Sequence, residues 1–428
     1  MSKPLLGCIA DDFTGATDLA TMLVQTGMRA VQIVFVPGHG DVAPEADALI
    51  VALKSRTAPV GRAVSDSLAA LAWLQNAGCR QYFFKYCSTF DSTEEGNIGP
   101  VADELIAALG SGFALACPAF PANNRSVYQG HLFVGATLLN ESGMQDHPLT
   151  PMTDPNLVRV LSRQTSGTVG LVAYPIVVQG AQAIRKAMTG LKEQGRRYAI
   201  VDAVTNDDLV AIGEAAAGHA LITGGSGIAM GLPENFRRAG LLPIRSDAGV
   251  LPDVDGFAAV LAGSCSRATL FQIANARAHI PCLELDPLAK PDAGALAAQA
   301  IAWMAGKLGK TPVLIAASAP PDKVAALQEK LGRAAAGELV EVAMAAIAEA
   351  LVAQGVRRLV VAGGETSGAV VQRLGIKRLR IGDAIDPGVP WTFAEGDGPG
   401  MLLALKSGNF GAPDFFTKAF AMLDAAHV

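Results

Sequence analysis

Leu5-Leu6-Gly7-Cys8-Ile9-Ala10-Asp11-Asp12-Phe13-Thr14-Gly15-Ala16-Thr17-Asp18 is the stretch from which the fold is read. Its first six residues form an unbroken apolar run of strand length, and a helical pattern opens at Ala16. Between them stand two adjacent acids, a threonine and a glycine. In an open α/β sheet, ligands bind at the carboxyl ends of the strands. Two carboxylates on rigid backbone there suit a polyhydroxylated substrate or a metal ion, since both need strong acceptors. The plainer use of such acids is to cap the helix through its free N–H groups. One Asp would serve for that, and two adjacent acids repel each other.

The pattern repeats along the chain. Apolar runs at residues 30–35, 48–52, 81–86, 113–117, 169–173, 198–202 and 220–223 alternate with helical spacings such as Val64, Leu68, Leu71 and Leu74. That alternation predicts α/β layers with largely parallel sheets. Residues 245–255, rich in Pro, Asp and Gly, read as a linker, and further strands are expected at 257–262, 281–285, 312–316, 358–361 and 401–405. With 428 residues, two domains are expected, 1–247 and 252–428.

Hydrophobic residues make up 50% of the chain and charged residues 17%, enough for two large cores. The net charge of −5 comes without a basic run or aromatic-basic interleaving, which argues against nucleic acid as a partner. Six scattered cysteines show no paired metal spacing and read as buried thiols in a reducing compartment. No signal peptide is visible, and the Ala-rich residues 293–304 are too short to span a bilayer. A cytoplasmic protein without membrane contact is expected. The sequence leaves a homo-oligomer open.

Several strand ends carry chemistry. The third strand runs into Lys54-Ser55-Arg56, where two cations could meet an anion or be solvated. Lys85 is a cation inside an otherwise apolar strand, costly to bury unpaired. It leads into a loop of hydroxyls, acids, glycines and an amide that includes Ser88, Asp91, Gly96 and Asn97, which reads as a ligand loop more readily than as a long capping turn. Beyond residue 117 a proline-stiffened connection presents Asn123 and Arg125, and the planar fork of Arg125 could grip a carboxylate. His131 lacks a partner at metal-ligand spacing and reads as structural. Asn206-Asp207-Asp208 reads as the capped start of a helix.

In the second half, Gly263-Ser264-Cys265-Ser266, Gly363-Gly364-Glu365-Thr366-Ser367-Gly368 and Lys406-Ser407-Gly408-Asn409-Phe410-Gly411 share one design: strand, then small or hydroxyl residues with glycine. Free N–H groups with no side chain in the way suit phosphate oxygens. Ordinary tight strand–helix turns would explain one such loop more easily than three. No Gly-x-x-x-x-Gly-Lys-Ser/Thr motif is present, and the protein-kinase signatures are absent. A dinucleotide fingerprint starting at Gly225 fails, because Met230 stands where its third glycine should be.

Asp11–Asp18, Lys54-Ser55-Arg56 and the Lys85-to-Asp91 block, together with the three glycine loops, resemble the four-carbon acid sugar kinases over nearly the whole chain. The resemblance implies a sugar-acid domain followed by a nucleotide domain. Gly408-Asn409-Phe410-Gly411 and Asp414-Phe415-Phe416 look most like the members acting on 3-oxo-tetronate. The expectation is therefore ATP-dependent phosphorylation of a four-carbon sugar acid at its terminal 4-hydroxyl, in a cleft between the two domains. Asp12 is expected to receive the hydroxyl proton and Asp11 to orient the hydroxyls. Lys54, Arg56, Lys85 and Arg125 are the candidates for the substrate carboxylate, with Ser88, Asp91 and Asn123 beside them. Ser264, Ser266, Gly363, Gly364, Glu365, Thr366 and Gly408 are expected to hold ATP, accompanied by Mg²⁺, with no residue assigned as a metal ligand. Alternatives are a D-threonate or D-erythronate kinase, a binding protein without turnover, and a dehydrogenase, the last disfavoured by the failed fingerprint.

Overall fold

A computed structural model describes residues 3–38, 40–147, 149–309, 311–395 and 400–425. The chain divides into two compact units, Met1–Gly249 and Val250–Val428.

The first unit is built on eight parallel strands. In chain order they are β1 (Leu6–Ala10), β2 (Ala30–Val34), β3 (Ala48–Ala52), β4 (Gln81–Lys85) and β5 (Ala114–Cys117), then β9 (Val169–Val172), β10 (Tyr198–Val201) and β11 (Leu221–Gly224). Their spatial order is β2-β3-β1-β4-β11-β5-β10-β9. β1 is buried from end to end and pairs in register with β3 on one side and β4 on the other. From β1 the chain first winds towards β3 and then crosses to β4. The sheet therefore reverses direction between β1 and β4, and Asp11 and Lys85 stand at that reversal, where open α/β sheets bind ligands. Unbroken apolar strands are what a sheet covered on both faces requires.

Two local expectations are corrected. The first helix begins at Phe13, three residues before Ala16, because Asp12 takes the extended capping conformation and accepts from the Gly15 N–H at 3.1 Å. The connection after β5 is not merely a stiffened loop. It carries a three-stranded antiparallel sheet of β6 (Arg125–Tyr128), β7 (His131–Val134) and β8 (Thr137–Leu138). Strands this short give too few alternations to be read as a period-2 pattern.

The second unit orders its strands β13-β14-β12-β15-β18-β17-β16. These are β12 (Phe257–Ala262), β13 (Cys282–Glu284), β14 (Val313–Ala316), β15 (Val356–Ala362), β16 (Arg378–Asp386), β17 (Val389–Glu395) and β18 (Met401–Lys406). The first five in that order are parallel, and β17 is antiparallel to both β16 and β18. The long β16–β17 hairpin was not expected. β12 lies between β14 and β15, so this sheet too reverses at its centre, and the loops that follow β12 and β15 emerge there. Of the six cysteines, Cys8, Cys79 and Cys117 are buried, while Cys87, Cys265 and Cys282 are half-buried, a correction to the expectation that all would be buried. All six are free thiols.

Candidate active site

Asp11 and Asp12 follow β1, and Arg56 follows β3. The Arg56 guanidinium binds Asp11 as a fork, with Nε donating to Oδ2 at 2.8 Å and Nη2 to Oδ1 at 2.9 Å. Nη2 also donates to Asp12 Oδ1 at 2.7 Å, and Nη1 lies 3.6 Å from Asp91 Oδ2. One cation thus gathers three carboxylates from two separate loops, those after β1 and β4. The backbone fixes this arrangement as well, because the Asp11 carbonyl accepts from the Ser55 and Arg56 N–H groups and the Asp11 N–H donates to the Lys85 carbonyl.

The two acids differ in access. The Asp11 side chain is 6% exposed and that of Asp12 31%. Burial raises the Asp11 carboxyl pKa, opposed by Arg56. Burial acts on Asp12 in the same sense, but Arg56, Lys85 and the Gly15 N–H outweigh it and hold its pKa below the usual carboxylate value. Asp12 is therefore ionised at neutral pH and reachable, and both hydrogen bonds found for it use Oδ1. Lys85 is 3% exposed and donates to the Tyr86 carbonyl at 2.8 Å. A Cβ at Gly15 would lie 2.3 Å from Asp12 Oδ1 and 2.8 Å from Lys85 Nζ, so only glycine lets both groups approach the helix start.

The remaining sugar-side candidates are spread more widely. Asp91 is buried and accepts from Thr89 Oγ1 at 2.7 Å. Phe90 and Asp91 have φ of 66° and 46°, two successive non-glycine residues in the left-handed region, a strain that collects at functional sites. Ser88 is half-buried in the same loop and Lys54 is exposed beyond β3. Arg125 turns back onto the carbonyl of Asn123, and none of the hydrogen bonds found for the pair reaches the Arg56 network. His131 bonds Gln129 and Asn156, a structural position.

Of three further residues beside this site, the sequence marks Asn97 only as part of the ligand loop and assigns Asp18 and Ser226 no role. Asn97 donates to the Ser55 and Ala58 carbonyls at 2.7 and 2.8 Å and so ties down the Arg56 loop. Asp18, two turns along the first helix, has its pKa raised by burial and lowered by Lys85. Its Oδ1 and the Ser226 hydroxyl are buried with no hydrogen-bond partner among the described residues. Asp18 could have been noticed as a third acid on the helix that starts the site. Nothing local marks Ser226.

In the second unit, Ser266 caps the helix Arg267–Ala276 and donates to the Gly408 carbonyl at 2.6 Å. The Ser264 hydroxyl accepts from the Ser266 N–H at 3.2 Å. A Cβ at Gly263 would sit 2.2 Å from Thr366 Oγ1, and one at Gly408 would sit 2.4 Å from Ser264 Oγ. Gly363 has φ of 127° and hydrogen-bonds the Lys406 carbonyl. The three glycine loops therefore pack on one another, and the absence of side chains is what permits it. Gly364 differs: a Cβ there would meet nothing within 4 Å. Glu365 is exposed in the first turn of the helix Gly364–Arg373, and Thr366 is buried. Beside the loops lies a cavity of about 290 Å³, lined by Gly263, Glu365 and Thr366 and walled by apolar Leu288, Val324 and Val340. It is close to the size of a small-ligand pocket. Its apolar wall comes from three separate segments and was not foreseen. Among the described residues no group of three or more His, Cys, Asp or Glu could hold a metal ion, and no helix is long and apolar enough to cross a membrane.

Two α/β units, each with polar loops at the reversal of its sheet, define a protein that handles two ligands. Residues 6–232 match the sugar-binding N-terminal domain family and residues 259–416 the nucleotide-binding C-terminal domain family. The chain is 60% identical to a 3-oxo-tetronate kinase of Burkholderia multivorans over 99% of both chains. It is 45% identical to one of Salmonella typhimurium over 97% of this chain and 98% of that one. Among solved structures, one from Salmonella typhimurium LT2 superposes with a TM-score of 0.89 at 44% identity, covering 97% of this chain and 98% of that one. Haemophilus influenzae protein HI1011 gives 0.83 at 42%, covering 97% and 100%. The chain belongs to the four-carbon acid sugar kinase family. It is a kinase.

Proposed function

We propose that this enzyme transfers the γ-phosphoryl group of ATP to the terminal 4-hydroxyl of 3-oxo-tetronate. The observation that carries the reading is Asp12: an ionised, accessible carboxylate at the β1 strand end, held by Arg56 and beside the buried Lys85. The substrate class is supported by the names of relatives that match along their full length.

In this mechanism Asp12 accepts the hydroxyl proton as the oxygen attacks the γ-phosphorus, and the bond from that phosphorus to the bridging oxygen breaks, so that ADP leaves. Phosphoryl transfer has little covalent chemistry for the protein to perform, so placement of the hydroxyl and neutralisation of charge carry most of the catalysis. Asp11 and Arg56 hold Asp12 in place and orient the substrate hydroxyls. Lys85, with Lys54 and Arg125, supplies positive charge for the carboxylate. Ser264, Ser266, Gly363, Gly364, Thr366 and Gly408 offer N–H and hydroxyl donors to the ATP phosphates, and the apolar cavity wall suits the base. Mg²⁺ would be held chiefly by those phosphates, since it usually takes one or two carboxylates plus phosphate oxygens, and it would neutralise their charge. Acceptor and donor groups lie on different units, so the two ligands must be brought into line for transfer. Such a reaction belongs in the cytoplasm, where ATP is available and free thiols stay reduced.

The test is ATP consumption by the full chain with 3-oxo-tetronate, D-threonate and D-erythronate, with the product's phosphate position read by phosphorus–proton coupling. Turnover on 3-oxo-tetronate with phosphate on the 4-oxygen is expected. Preference for either sibling acid would reassign the substrate. ATP and acid binding without any product would overturn the kinase reading.

A further inference from the structure

Lys406 ends β18, beneath the glycine loop that follows it. It is 1% exposed. Its ammonium donates to Thr269 Oγ1, the Ser407 carbonyl and the Gly408 carbonyl, each at 3.1 Å. All three acceptors are neutral. No carboxylate lies within ion-pair distance among the described residues, and Asp386 at the end of β16, which holds the Ala412 N–H of the same loop, is paired with Lys418. A buried cation left without a counter-charge is costly, and proteins usually pair it or neutralise it. Three hydrogen bonds satisfy its protons but not its charge.

The acceptors say what the charge is for. The Gly408 carbonyl accepts from Ser266 Oγ at 2.6 Å, from Thr269 Oγ1 at 2.9 Å and from Lys406. Ser266 in turn caps the helix that carries Thr269. Lys406 is thus the floor of a knot that joins two of the three glycine loops. A carbonyl with three donors directs its own negative end inwards, away from an anion placed above the loop.

We propose that Lys406 is the buried positive charge of the nucleotide-phosphate site, a positioning residue that ties the Gly408 loop to Ser266 and Thr269 and whose charge is balanced when phosphate binds above that loop. The proposal rests on the reading of this unit as the nucleotide site. It acts through the loop and needs no direct contact with ATP. Burial lowers the Lys406 pKa to about 8, so the unliganded site keeps its proton near neutral pH and loses it in mildly alkaline solution, where a bound polyanion would restore it. On the elements around Lys406 and its loop, the other titratable or charged side chains are half-buried Cys265, exposed Arg267, Glu365, Asp414 and Lys418, and buried Asp386.

The test is calorimetric titration of the full-length chain and its Lys406→Met variant with ATP, ADP and adenosine. ATP and ADP should each bind at least about tenfold more weakly to the variant, while adenosine changes less than about twofold. Equal loss for all three ligands would reduce Lys406 to a structural staple, and no loss would remove it from the site. Either result overturns the proposal. Should the variant fail to fold, the wild-type chain still decides. Near pH 8.5, titrations in buffers of different ionisation enthalpy should show protons taken up on ATP binding, about one per site at most, with the same uptake in Cys265→Ser. No uptake, or uptake that Cys265→Ser abolishes, overturns the proposal. Failure of the wild-type chain to bind ATP at all would instead overturn the nucleotide assignment beneath it.

Discussion

The two regions proposed to bind the ligands are built from opposite materials. Around β1 and β4 the work is done by full charges: Asp11, Asp12 and Asp91 around one guanidinium, with Lys85 alongside. Around β12, β15 and β18 it is done by backbone and hydroxyls, with a single buried cation beneath them. The difference follows from the ligands proposed for each. A small acid with several hydroxyls presents a few defined donors and acceptors, which side chains can match one by one. A polyphosphate presents many equivalent oxygens, which a concave array of N–H groups meets better. The first region should therefore be sensitive to removal of charge, and the second to addition of atoms.

The sharpest way to break that contrast is Asp12→Asn. It keeps size and removes the base, so turnover should fall roughly 10²–10⁴-fold with the fold intact and ATP binding unchanged. Near-normal turnover in a rapid-quench assay would move the base to Asp11 or Asp91.

Arg56→Ala comes next. It leaves three carboxylates facing one another, and Tm at neutral pH should fall, with a loss of stability below the roughly 3–5 kcal/mol of a fully buried pair because the Arg56 side chain is 23% exposed. The sign with pH is fixed. In the wild type, Asp12 has a depressed pKa, so its pairing adds stability above the unfolded-state pKa, and that stability is lost as pH falls through the folded-state value. In the variant the crowded acids gain protons more readily on folding, so the Tm gap to wild type should narrow as pH is lowered into the carboxylate range. A gap that widens there would mean Arg56 is not what holds the acids ionised.

Gly364→Val probes the other region. Its Cβ would enter open space, so stability should hold while ATP affinity drops about tenfold, roughly 1.4 kcal/mol, and sugar-acid binding stays the same. Loss of acid binding with ATP retained would exchange the roles assigned to the two regions. The smallest effect is expected for exposed Lys54→Ala, within about 0.5 kcal/mol in stability. A modest rise in KM for the acid alone is expected, and an unchanged KM would remove Lys54 from the carboxylate contacts.

Much of the site could be read locally. Asp11, Asp12 and Lys85 follow apolar runs that become β1 and β4, and strand ends in an open α/β sheet are where ligands collect. The glycine loops were visible for the same reason. Neither the difference in exposure between Asp11 and Asp12 nor the engagement of Arg56 was legible. Arg56 lies 45 residues from Asp11 in sequence, and whether it was free for substrate or committed to acids depended on where β3 fell in the sheet.

By itself the sequence determined the class of fold and the kinds of group at each strand end, because apolar runs and helical periods are set by nearest neighbours along the chain. Tertiary structure alone decided which of those groups meet. It placed β1 between β3 and β4, which brought Arg56 onto Asp11 and left Asp12 exposed enough to act. It also set Lys406 beneath Gly408 and against Thr269, 137 residues away, without a counter-charge. Strand order sets these meetings, and since it depends on how whole layers pack, no local window of residues records it.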